Sequence, residues 1–543
     1  MLVWPEAMDE RAHEPRLPAV GAHLQDRVAF EVSAVIFGSF LGYYGLLCFR
    51  HDGWGGDFQM YCAGIAQLYR NFAHPLHEAM DVPGAQSTMY TLYLVVLAAL
   101  GKLFGATPYR MLEVAGLANL ALYAAGAAYF FSKHSLQRRW WLPASCFIYA
   151  TLFLRWRHFG WSSETSLTNL QYIQSFPSTM GWALAFFAFG LMEAFQRRRA
   201  ARTLITLTLV LAIALLTHVL TASWMIGILG LHTLWVGARD RDLWALPGPA
   251  LALGAALGLA ALWPYSPFFG QSSMQKIPEN APFGASWFDD FPSLYGLAAP
   301  CFLYVVARLR RHAFWLFGML ATLAALVLSR RIGFTFGNRY SFYAAFFAQC
   351  IVAEVMALGV LALLGPFTER VGARALLVFD RAFSIAVLCL ALVIWLPSPM
   401  RAQAVQEVDF GRLWSPLELL RMESPLDAYY REVEELRPVL GPADRVVTPV
   451  TRAVFDIAAV TGAQVISSPN AWLVPDRVAR QRDMNLFFSG KANTEARATI
   501  LRRRRATRVL LPRSHFGYMD GLLRQFGEPL YRSSRYVVWA TES

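Results

Sequence analysis

Apolar residues run in long blocks up to about residue 397 and in short runs after it. Blocks of about 16 to 25 residues match the length a helix needs to cross about 30 Å of hydrocarbon. The pattern predicts eleven spans, at 29–49, 110–131, 141–156, 176–195, 203–218, 219–237, 243–265, 294–309, 313–329, 340–365 and 376–396. One further apolar block, TLYLVVLAALGKLF at 91–104, is short for a crossing and reads as an in-plane or re-entrant helix. Between residues 58 and 68, Phe58, Tyr61, Ile65 and Leu68 recur at helical spacing, which predicts an amphipathic helix at headgroup level. After residue 397, β-rich runs appear at 445–450, 463–468, 507–512 and 535–540, separated by helical stretches at 451–461, 493–505 and 516–525. Strands alternating with helices predict an α/β layer with a mainly parallel sheet, long enough to bury its own core.

Composition turns this pattern into a protein class. Of 543 residues, 56% are hydrophobic and only 16% charged, against roughly a quarter charged in soluble domains. A mainly soluble enzyme is excluded. The net charge of +12 resembles a nucleic-acid signal until the cations are located. Arg138 and Arg139, Arg197 to Arg199, Arg239 and Arg241, and Arg308, Arg310 and Arg311 flank short connections, where positive residues mark the cytoplasmic side. The charge therefore signals topology, and no nucleic-acid partner is expected.

Placing those connections inside makes 1–28 a cytoplasmic segment and 29–396 a transmembrane domain with external loops 50–109, 157–175, 266–293 and 330–339. Segment 397–543 becomes a soluble extracytoplasmic domain. The expected fold class is thus mainly α, a polytopic transmembrane helical bundle of about 11 spans with a C-terminal α/β domain. The chain reads as a multi-pass protein of the cell inner (plasma) membrane, surrounded by membrane lipids. The residues before position 28 lack a signal peptide's basic start and cleavage site. Six cysteines, without paired spacing, suggest neither a disulfide framework nor a zinc site.

The external loops hold the candidate chemistry. Asp57, among Gly53, Gly55 and Gly56, lies just beyond a span, where a polar substrate meets a lipid-borne one. Its carboxylate can act as general base, hold a cation, or cap the following helix. Glu164 is the acid of the second external loop, with His158, Trp156 and Trp161 close by. It can share a metal with Asp57 or orient an acceptor, or be an ordinary loop acid. Arg330, Arg331 and Arg339 surround a short external turn against the positive-inside trend, and guanidinium forks suit phosphate. His218 lies between two spans and Glu354 inside one, where an ionisable group is costly and so a functional candidate. For His218 a helix-packing hydrogen bond is the competing role. His74, His77 and Glu78 have a superficial metal-ligand spacing that Pro75 disrupts, while Asp289 and Asp290 form a second acidic pair.

Taken in order, GGDFQMY around Asp57, QSTMYTLYLVVLAALGKLFG at 86–105, SSET with Glu164, FPSTMGWALAFFAFGLMEAF at 176–195 and LLTHVLTASW around His218 resemble the C-type glycosyltransferase (GT-C) superfamily. The resemblance covers most of the chain. It implies an inverting transferase that takes a sugar from a polyprenyl-phosphate donor to a hydroxyl of a cell-envelope glycan, lipid or protein acceptor. It makes Asp57 and Glu164 the catalytic acids. Arg339, His158, His218, Arg330 and Arg331 are the expected substrate contacts. In place of the family's adjacent acidic pair, a single acid is followed by Phe58. That fits metal-independent base catalysis as well as a divalent cation (Mg or Mn) on Asp57 and Glu164. The alternative class is a transporter or flippase of an envelope lipid or glycan, for which inverted repeats and interrupted helices would be expected.

Overall fold

The computed structural model describes residues 19–50, 57–135, 139–153, 170, 173–241, 246–264, 314–331, 340–370 and 431–541, with short gaps at 84–86, 88, 450, 452, 470, 472, 513–518, 520–522 and 524–525. Its helices are α1 (Ala19–Arg50), α2 (Phe58–Arg70), α3 (Leu92–Phe104), α4 (Pro108–His134), α5 (Trp141–Phe153), α6 (Pro177–Arg198), α7 (Ala201–Thr217), α8 (Val219–Asp240), α9 (Pro247–Ala261), α10 (Phe314–Arg331) and α11 (Tyr340–Arg370). Helices thus coincide with nine of the predicted spans, and the other two, 294–309 and 376–396, lie outside the described residues. Four stretches are long and apolar enough to cross a membrane by length and composition: Ala29–Cys48, Pro108–His134, Pro177–Arg198 and Val219–Ala238.

Small residues let α4 and α6 pack closely. A Cβ on Gly126 of α4 would lie 2.9 Å from the Ala183 carbonyl of α6, and one on Gly190 of α6 would lie 2.7 Å from the Tyr129 ring of α4. The two glycines let the helices approach reciprocally, the usual device where lipid supplies no hydrophobic drive between helices. Gly126→Val meets an immovable backbone oxygen and is expected to cost about 1–3 kcal/mol, as overpacking does. Gly190→Ala meets a ring that can turn and should cost less. Denaturant unfolding of both variants in detergent checks the ranking.

The helix α3 is 13 residues long, about 20 Å, too short to span. Thr91 Oγ1 accepts from the Leu94 backbone N–H at 3.4 Å, and Gly105 ends the helix at φ 65°. Val96, Leu100, Leu103 and Phe104 are exposed along one side, while Tyr93, Leu94, Leu97 and Ala98 are buried on the other.

The C-terminal layer contains β1 (Arg445–Val447), α12 (Ala453–Thr461), β2 (Gln464–Val465), α13 (Arg477–Phe487), α14 (Thr494–Arg504), β3 (Arg508–Pro512), β4 (Tyr531–Arg532) and β5 (Tyr536–Ala540). The sheet order is β2-β1-β3-β5-β4. β1 pairs parallel with β2 and β3, but β5 pairs antiparallel with β3 and β4. The expected mainly parallel sheet is therefore mixed, because β4 and β5 form a hairpin across Ser533 to Arg535 that adds no crossover helix. Side chains alternate strictly between two cores. Val446, Val465, Leu510 and Val538 join the core shared with the bundle, and Val447, Val509, Leu511, Val537 and Trp539 join a second core with α13 and α14. The sheet thus separates the bundle from an outer helical layer.

The two units are joined through the first loop. The helix α2 was expected at headgroup level, yet Phe58 and every residue from Met60 to Leu68 are buried. Its surroundings are protein: α3 and α4 on the bundle side, and α12 of the C-terminal layer. An amphipathic pattern records that one face is apolar and leaves the partner of the other face open. Arg70, at its end, donates to the Ala458 carbonyl at 2.9 Å, and Gly462 lies against the Arg70 guanidinium. Asp81 pairs with Arg445, and the Val465 N–H donates to the Ala79 carbonyl at 2.7 Å, adding Met80 to the sheet edge beside β2.

Candidate active site

Asp57 occupies the N-cap position of α2, with its carbonyl accepting from Tyr61 N–H at 3.0 Å. Its side chain makes no capping hydrogen bond. This removes the capping role that the sequence left open. Each neighbour that positions Asp57 is itself held. Phe58 is fully buried, its ring 6.1 Å from that of Tyr109, whose hydroxyl donates to the buried Asp456 of α12 at 2.9 Å. Tyr61 meets Phe176 edge-on at 5.1 Å. Phe176 ends a turn fixed by Asn119 of α4, whose amide donates to the Gln174 carbonyl at 2.8 Å and the Phe176 carbonyl at 3.2 Å. Tyr93 of α3 donates to Ser175 O at 2.7 Å. At the other end of α2, Tyr69 donates to Ala106 O at 2.9 Å; burial and the Cys62 thiol push its pKa up to about 12, so it remains a neutral donor at neutral pH.

The same end of the bundle carries His218, between α7 and α8. Its Nδ1 accepts from Thr221 N–H at 3.3 Å and lies 2.8 Å from Thr221 Oγ1, an arrangement that places the ring proton on Nε2. Thr221 Oγ1 is 3.3 Å from the Tyr343 hydroxyl, in the first turn of α11. Gly181, near the start of α6, packs against the His218 Cβ. Below them Trp224 stacks on Tyr343 at 4.5 Å, with Trp182 against both. At the opposite end, Arg139 pairs with Asp26 and Arg197 donates to the Lys133 carbonyl at 3.0 Å. Among the described residues, Arg139 and Arg197 thus lie at the end of the bundle away from Asp57 and His218.

Of the remaining candidates, Arg331 ends α10 and is exposed, and Arg330 belongs to the same helical turn. His158, Glu164, Arg339, Asp289 and Asp290 lie outside the described residues. Glu354 is fully buried in α11. His74 is exposed, whereas His77 and Glu78 are fully buried, with Ser87 donating to the Glu78 carboxylate; the two imidazoles do not face one centre. Cys48, Cys62, Cys146 and Cys350 are buried free thiols. Among the described residues no group of three or more His, Cys, Asp or Glu is placed to hold a metal ion. A cation would rest on Asp57 together with a residue beyond that set. Sequence reasoning missed Tyr109, Asn119 and Asp456. The signal for the last was visible, an acid inside the apolar run AVFDIAAV.

No protein-family profile and no curated protein sequence matches the chain. Solved structures do. The ArnT structure from Cupriavidus metallidurans bound to undecaprenyl phosphate superposes with a TM-score of 0.50 and 13% identity, covering 97% of this chain and 99% of that one. An oligosaccharyltransferase of Archaeoglobus fulgidus tethered with an acceptor peptide gives a TM-score of 0.45 at 13% identity, over 88% of this chain and 69% of that one. The chain shares the overall fold of the ArnT structure.

Proposed function

We propose that the protein is an integral-membrane, inverting glycosyltransferase that moves a sugar from a polyprenyl phosphate to an acceptor hydroxyl on the extracytoplasmic face. The observation that carries the reading is Asp57: an acid that does not cap the helix it begins, a helix packed between the bundle and the C-terminal layer. The ArnT structure with the same fold binds undecaprenyl phosphate, which supports a lipid-linked donor.

In this reading the donor enters laterally with its phosphate toward Arg339, Arg330 and Arg331. Asp57 takes the proton of the acceptor hydroxyl as its oxygen attacks the anomeric carbon opposite the phosphate. The bond to phosphate breaks with its electron pair, the sugar inverts, and arginine stabilises the charge growing on the leaving polyprenyl phosphate. His218, at the same end of the bundle, binds substrate, and Glu164 and His158 orient the acceptor. A divalent cation held by Asp57 and Glu164 would add electrostatic stabilisation of the phosphate.

The test uses the purified full chain in liposomes with radiolabelled polyprenyl-phosphate sugars and an envelope extract as acceptor source. Label is expected to pass from the lipid to acceptor material, with release of polyprenyl phosphate. Movement of intact labelled lipid between leaflets, without cleavage, would replace the transferase with a flippase.

A further inference from the structure

Positive charge in the C-terminal layer is concentrated on one pair of helices. Residues 476–505, spanning α13 and α14, hold nine basic and three acidic residues, a net of +6, whereas the rest of 397–543 holds twelve basic and thirteen acidic. Two of the three acids of this pair, Asp476 and Asp483, are already engaged. Asp476 binds Arg480 and Arg504, and Asp483, largely buried, binds Arg503 and Arg504. Burial raises the pKa of Asp476, but its hydrogen bonds to Arg480 and Arg504 outweigh this and hold the carboxyl below its usual range. The Asp483 bridges to Arg503 and Arg504 tie the last turn of α14 to the middle of α13. Arg482, Lys491, Arg502 and Arg505 are exposed, and none of them forms an ion pair among the described residues. Arginine 497, fully buried, donates to the Phe487 and Ser489 carbonyls at 2.9 Å each, so the loop between the helices is held as well.

We infer that the outer face of α13 and α14 is a docking surface for an anionic polymer, and, resting on the transferase reading, that this polymer is the acceptor. A solvated helix end accounts for Arg502 to Arg505, where cations suit the dipole. It does not account for Arg482 and Lys491, nor for a layer in which all excess charge lies on one side. Layering decides between a polymer and the protein's own membrane. The core beneath α13 and α14 lies on the sheet face opposite the one joined to α2 and the bundle, so these cations face away from the membrane-embedded helices. A polymer carrying repeated phosphates or carboxylates meets several guanidinium forks at once, and each contact releases counterions. Held there, its reactive end is delivered to a site whose wall, α12, belongs to the same layer.

The experiment measures binding of fluorescent inorganic polyphosphate to the full chain in phosphatidylcholine nanodiscs. Neutral dextran and phosphatidylglycerol vesicles serve as comparisons, and the variant combines Arg482→Ser, Lys491→Ser, Arg502→Ser and Arg505→Asn. Wild type is expected to bind polyphosphate with an affinity that falls as salt rises. The variant should keep its melting temperature, bind about tenfold or more weakly, and show a salt slope smaller by about three to four. Equal affinity in the two proteins, or preference for the vesicles over polyphosphate, overturns the inference. Binding is read without sugar transfer, so its failure leaves the transferase reading intact, and a failed transfer assay leaves the surface intact.

Discussion

Asp57→Asn is expected to lower turnover of a labelled polyprenyl-phosphate sugar by about a hundredfold or more, the range supplied by a positioned general base. The substitution keeps size and hydrogen bonding but removes the proton acceptor. A loss of activity from misfolding has a different signature. Had Asp57 capped α2, Asp57→Ala would cost about 0.5–2 kcal/mol of stability. The carboxylate makes no capping bond, so that variant should not show the loss of a helix cap. Inactive protein with an unchanged melt supports base catalysis, and near-normal turnover of Asp57→Asn would remove Asp57 from the role.

Gly462→Ala is expected to destabilise the protein by about 2–4 kcal/mol. Gly462 sits at φ +86°, where an L side chain costs roughly 1–2 kcal/mol. A Cβ there would also lie 2.9 Å from Arg70 Cζ and 3.0 Å from Pro442 Cγ. Displacing Arg70 breaks its hydrogen bond to Ala458, a charged-donor bond of about 1.5–3 kcal/mol. Because Arg70 ends the helix that Asp57 begins, turnover should fall along with stability. Gly441→Ala, where a Cβ meets nothing within 4 Å, is the control in the same segment. A Gly462→Ala protein as stable as that control would show that α2 does not depend on this contact. Thermal melting and turnover measured on the same preparations check both effects.

The helices were legible because crossing a bilayer imposes length and apolarity on a contiguous stretch of chain, which is how 108–134 and 177–198 announced themselves. The strands β1, β2, β3 and β5 were legible for a related reason: buried on both faces, they read as short apolar runs. By contrast α13, RVARQRDMNLF, is so polar that no periodicity marked it, and its place depends on Met484 and Phe487 meeting the sheet. Asp57 could be named from its position after a span. What holds it could not, since Asn119, the 173–176 turn and Asp456 come together only through tertiary packing. The role of α2 was misjudged on the same ground: Phe58 and Tyr61 signal burial equally well against lipid or against α12.

The edge of the sheet is completed by Met80, from a segment synthesised long before β2. The C-terminal layer is therefore finished on a template that the ribosome made first. Produced separately, the 397–543 segment would carry an open strand edge beside β2 and the uncovered apolar side of α12, both invitations to aggregate. Attempts to crystallise or assay that segment in isolation should therefore supply residues 57–90 along with it, as a second chain or a fused one.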